Sequence, residues 1–89
     1  MISITQYNLD KIEDLFSFLG YKVRYEKGNF RTGACVLQNT KVIVVNKFSN
    51  LEIKINSLIV LLKDFEVNKE LMDDKQWLFY STLVKINVK

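Results

Sequence analysis

Apolar and polar residues follow one another along this chain with two different periods, and each change of period marks an element. Leu9, Ile12, Leu15, Phe16 and Leu19 recur at helical spacing. At about 100° per residue they fall within a stripe roughly 120° wide, enough to face a core. Asn8 stands where an N-cap is wanted, and Gly20 where a left-handed C-terminal stop is wanted. The pattern predicts a helix over about residues 9–19, with Asp10, Glu13 and Asp14 in the early turns that the helix dipole favours.

From there the period is two. Tyr21, Val23 and Tyr25 alternate with Lys22, Arg24 and Glu26, the mark of a half-buried strand. Lys27-Gly28-Asn29 tolerates positive φ and predicts a hairpin into a returning strand, Phe30 to Leu37. Gly33, in its middle, marks a bulge or a close approach. Gln38-Asn39-Thr40 supplies a second turn, and Lys41 to Asn46 a third strand. Its run Val42-Ile43-Val44-Val45 is apolar on both faces, so it needs cover on both sides, from this chain or from a second copy.

Ser49-Asn50-Leu51-Glu52 has the form of a capping box opening another helix. Leu51, Ile55, Leu58, Leu62 and Phe65 of that helix lie within an arc of about 80°, a core-facing stripe. Ile53 and Val60 lie on its opposite side, a second apolar patch that is either packed under another element or left for a partner. Asp73 with Gln76 caps a third helix from about residue 74, carrying Trp77, Tyr80, Leu83 and Val84. Val84, Ile86 and Val88 then alternate with Lys85, Asn87 and Lys89, as in a final strand. The order α-β-β-β-α predicts an α+β fold: a three-stranded antiparallel sheet packed with helices, plus the C-terminal helix and final strand. At 89 residues, with no repeat and no linker, the chain reads as a single domain over 1–89.

Composition narrows the chemistry. There is no histidine, which removes the commonest general base and metal ligand. One cysteine, Cys35, excludes an internal disulfide framework and fits a reducing, cytoplasmic setting. With no imidazole to make its thiolate, and placed in the middle of a strand, Cys35 reads as a small core or near-core residue. The longest apolar run, Leu58 to Leu62, is too short to span a membrane, and no signal-peptide pattern opens the chain. Gly20, Gly28 and Gly33 match neither a phosphate-cradling loop nor a dinucleotide fingerprint. The carboxylates Asp10, Glu13, Asp14, Asp73 and Asp74 sit at helix starts, where capping and the dipole explain them. No catalytic residue, metal ligand or cofactor site is predicted, and the chain reads as not an enzyme.

Charge is uneven although its sum is only +3. Residues 21–47 hold six cations against Glu26, a balance of +5, while residues 1–20 come to −2. Lys22, Arg24, Lys27, Arg31 and Lys41 of that block could meet phosphate backbones, or could cover the wet side of a sheet and blunt its edges.

Two resemblances bear on these patterns. The stretch from Gly33 to Phe65 has a glycine-containing strand, a strand ending Val42-Ile43-Val44-Val45-Asn46, and then an amphipathic helix opening near Ser49-Asn50-Leu51-Glu52. In this it resembles the central part of the ImmA/IrrE-type metallopeptidase domain, in a minimal zincin-like form. In that family the helix carries an HExxH zinc motif. Laying the family's strand-end Asn on Asn46 puts the histidines at Val60 and Asp64 and the glutamate at Leu61, so none of the three is kept. The resemblance thus implies a copy without its metal, unable to act as a peptidase by that mechanism. Separately, the α-β-β-β-α order is similar to double-stranded RNA-binding domains, which read duplex shape from a lysine-rich start of their second helix. Here that region offers Lys47 and Lys54 with Glu52 between them.

The leading expectation is a non-catalytic domain working through protein contact with an unspecified protein or with itself, as a homodimer. Val42, Ile43, Ile53, Val60, Trp77 and Tyr80 are its candidate contact residues. The alternative is a nucleic-acid binder using Lys22, Arg24, Lys27, Arg31 and Lys41. No membrane is expected among its partners.

Overall fold

A doubly apolar strand finds both its neighbours within one sheet, and this decides the topology. In the computed structural model, which describes residues 2–86, the elements are α1 (Gln6–Phe18), β1 (Lys22–Glu26), β2 (Gly33–Leu37), β3 (Thr40–Asn46), α2 (Leu51–Lys63), a short 3₁₀ turn (Lys69–Leu71) and α3 (Asp74–Val84). β3 is the central strand, and the sheet order is β1-β3-β2. β2 pairs antiparallel with β3, Cys35 opposite Val42, whereas β1 pairs parallel with β3, Val23 opposite Ile43. The α+β class with a three-stranded sheet packed with helices is as expected, but the sheet is mixed and the β1–β2 hairpin does not form. Only one of the two turns is tight. Gln38 and Asn39 both take left-handed φ (50° and 67°), the two-residue geometry that matches strand twist. Residues 27–32 instead form a loop long enough for β3 to enter between β1 and β2.

That loop is pinned from a distance. The Asn46 side chain at the end of β3 donates from Nδ2 to the carbonyls of Gly28 (3.0 Å) and Phe30 (2.6 Å). Its Oδ1 accepts the Phe48 amide (3.0 Å), so one amide group ties together the loop and the turn into α2.

Both long helices lie on one face of the sheet. Leu9, Ile12, Leu15 and Phe16 of α1 and Ile55, Leu58, Ile59 and Leu62 of α2 close over Ile43 and Val45, and α3 adds Leu83. Phe65 stacks on Tyr21 (centroids 4.6 Å apart) and meets Phe16 edge-on (5.4 Å), sealing the end of the core where Gly20 turns the chain at φ +92°. The overall extents, 37 × 32 × 21 Å, are those of one sheet layer and one helix layer. Among the described residues, no helix is long and apolar enough to cross a membrane.

Several local expectations shift. α1 begins earlier than the apolar stripe does, and its N-cap is Thr5, whose Oγ1 accepts the Asn8 amide (3.1 Å). α2 is capped by Asn50 through the Ile53 amide (2.8 Å), so the Ser49–Glu52 capping box does not form. The box at α3 does form, with Asp73 and Gln76 bonding reciprocally (2.7 and 3.0 Å). Gly33 sits in regular register opposite Val44, with no bulge. The final strand is not seen through Ile86, and residues 87–89 of it lie outside the described residues.

Candidate functional site

β2 is the most exposed strand of the sheet. It is an edge strand, and Ala34, Cys35, Val36 and Leu37 are all exposed, Val36 at 65%. Cys35 is therefore an exposed thiol and not a core residue. Its strand has apolar side chains on both faces yet reaches only the margin of α2. On the helix side of this margin, the loop over 27–32 and the outer face of α2 enclose a groove of about 470 Å³, lined by Phe30, Thr32, Ile53, Ser57 and Val60 among others. Ile53 and Val60 stand half exposed there, at 50% and 47%. Phe30 reaches the groove because Asn46 holds the loop that carries it.

The contact residues expected from the pattern divide accordingly. Ile53 and Val60 come together in the groove. Ile43 lies in the core, fully buried, and so offers no surface. Val42 points to the other face of the sheet, but between Lys22 and Cys35 it too is buried (3%). Both faces of β3 are thus satisfied within the chain, one by helices and one by flanking side chains. Trp77 and Tyr80 are partly buried on α3 with rings 5.4 Å apart, and Lys69 lies 5.3 Å from the Trp77 centroid. Phe30, Val36 and Leu37 are apolar surface the pattern did not single out. For Val36 and Leu37 the uncharged run Thr32–Thr40 was the available signal.

The basic residues do not gather on one surface. Strand alternation places Lys22 and Arg24 on the helix-free face, whereas Lys41 lies on the helix side, its Nζ 5.6 Å from the Tyr21 ring. Lys27 and Arg31 belong to the loop. Arg24 pairs with Glu26 on its own strand (2.7 Å), which halves the charge β1 presents.

Two further features have chemical character. Glu13 on α1 meets Tyr25 on β1, with Lys54 of α2 lying 5.4 Å from the Tyr25 ring. Burial raises the Glu13 carboxyl above its ordinary range, helped by Asp10 and Asp14 and opposed by the Tyr25 hydrogen bond and by Lys54. Burial likewise pushes the Tyr25 phenol up, with the Glu13 charge adding to it. A depression of about 320 Å³ between α1 and α3 is lined by Tyr7, Lys11, Asp14, Lys75 and Phe79, and Lys11 sits over the Phe79 ring at 4.3 Å. Among the described residues, no group of three His, Cys, Asp or Glu side chains converges as metal ligands would. Val60 on α2 and Asp64 at its C-cap, the positions laid on the zincin histidines, are exposed.

Compared with protein-family models, with proteins of curated function and with solved structures, the chain matches none.

Proposed function

We propose that this chain is a non-catalytic protein-contact domain that associates with itself. One observation carries the reading: α2 is apolar on two sides, and its second side, Ile53 and Val60, opens with Phe30 into a groove beside an uncovered apolar strand. Exposed apolar residues scattered singly are ordinary, but a contiguous set rimmed by polar groups marks an interaction site. A chain this small also gains stability by association, since one core of this size is only modest. On this reading the zincin-like order over Gly33–Phe65 is a scaffold whose α2 keeps neither histidine of that family's motif. A reducing, cytoplasmic setting suits the exposed Cys35, which remains a thiol there. The split of the cations between the two sheet faces and the Arg24–Glu26 pair favour protein contact over nucleic acid.

Light scattering coupled to size exclusion tests this. The expected mass at about 50 μM is twice the 10.5 kDa of one chain. Ile53→Asp with Val60→Asp, both at half-exposed positions, should return it to one chain while the circular dichroism spectrum stays unchanged. A single-chain mass for the unaltered protein across the whole concentration range would overturn the reading.

A further inference from the structure

The free margin of the sheet specifies how two copies would meet. β2 borders β3 on one side, and among the described residues no strand lies beyond it on the other. In a two-residue turn such as Gln38–Asn39 the closing pair, Leu37 and Thr40, is hydrogen-bonded. By the alternation of an antiparallel ladder, Cys35 and Gly33 also bond inward, to Val42 and Val44. Ala34 and Val36 therefore turn their N–H and C=O groups outward, and both residues are exposed. Edge strands are normally protected by charge, proline or a bulge. β2 has none of these: its register is regular, and Thr32 to Thr40 contains no charged residue.

We propose that β2 pairs antiparallel with β2 of a second copy about a two-fold axis through Cys35, joining two three-stranded sheets into one of six strands. The proposal rests on the protein-contact reading above and names its partner and register. Charge bears on the partner and strand length on the register. The strand is neutral, so it complements a neutral strand and offers nothing to a phosphate backbone or an acidic peptide. An axis through Val36 would run Ala34 against Gln38 of the turn and leave part of the strand unpaired. The axis through Cys35 sets Gly33 opposite Leu37 and overlaps the strand fully with itself. It also matches the hydrogen bonds, because Ala34 then faces Val36 of the other copy and the outward groups of each meet. Both helix layers fall on the same side of the joined sheet, so the Ile53–Val60 faces border the same seam.

The register gives its own readout. Cys35 meets its counterpart across a non-hydrogen-bonded pair, with Cα atoms about 4.5 Å apart, inside the roughly 4.4–6.8 Å span of disulfides. The full chain at about 50 μM is treated with copper–phenanthroline in air, dioxygen being the oxidant that takes up the two electrons and two protons as the S–S bond forms. A covalent dimer is expected. Val36→Lys, at an exposed position that keeps the fold by circular dichroism, should lower its yield about tenfold. Moving the thiol by one residue, with Cys35→Ser and Val36→Cys together, should slow crosslinking about tenfold, since that side chain faces Ala34 across a wider hydrogen-bonded pair. Equal rates for the two thiols would mean random collision and overturn the register. A double-mass species by light scattering that forms no Cys35 crosslink, or that survives Val36→Lys, overturns the edge pairing and leaves self-association through another surface standing. A single-chain mass at every concentration overturns both.

Discussion

Asn46 tests whether a single side chain holds the groove in shape. Replacing it by alanine removes two donors, to Gly28 and Phe30, and one acceptor, for Phe48. At about 1 kcal/mol net per neutral hydrogen bond the loss is bounded near 3 kcal/mol. The freed carbonyls and amide lie at the surface and can turn to water, so about 2 kcal/mol is expected. For a domain of this size that is a fall in Tm of roughly 8–16 °C. Asn46→Asp separates the roles. It keeps an acceptor for Phe48 but sets a carboxylate against two carbonyl oxygens, so at neutral pH it should cost at least as much as alanine. Those carbonyls disfavour the introduced charge in the folded state, which raises its folded pKa above the unfolded value. The folded state then binds protons more readily, and the deficit relative to the unaltered protein should narrow as pH falls from about 7 toward about 4. Thermal melts followed by circular dichroism measure both. An Asn46→Ala shift below about 2 °C, or an aspartate variant as stable as asparagine at neutral pH, would refute the donor role assigned to this side chain.

Two further outcomes follow from the core and from the partly buried Glu13 carboxylate. Leu58→Ala, at a fully buried position of α2 in the core, should cost about 3 kcal/mol in urea unfolding, and a loss under about 1 would mean the site collapses around the cavity. Glu13, held above its ordinary 4.5 chiefly by burial, binds its proton more readily folded than unfolded. Its contribution to stability is therefore greatest at low pH and declines as pH rises through that raised value, and Glu13→Gln should flatten the curve there. Parallel pH–stability curves for the two proteins would remove Glu13 as the cause.

The helices were legible because their stripes are long. Leu9 to Leu19 and Leu51 to Phe65 each repeat often enough to fix type and facing, although the caps fell on Thr5 and Asn50, their neighbours in the pattern being equally good hydrogen-bond acceptors. Strand identity was legible too, but strand partners were not. Period two in Tyr21–Tyr25 says that one face is wet and nothing about which strand lies alongside. The doubly apolar run of β3 was the clue: it suits a central position, and taking that position separates β1 from β2. Cys35 shows the converse. An apolar strand composition implies burial only when something covers it, and β2 sits at the margin. Of the contact surface, Ile53 and Val60 were visible as residues off the stripe. Phe30 was not, because its place depends on Asn46, far away in sequence.

The two margins of the sheet are unlike. β2 is neutral, whereas β1 bears Lys22, Arg24 and Glu26. A copy joined by β2 turns its charged margin outward at either end, where another copy would have to strip water from those side chains before docking. Assembly by this route is self-limiting: it stops at a counted number of subunits and does not run on into a filament.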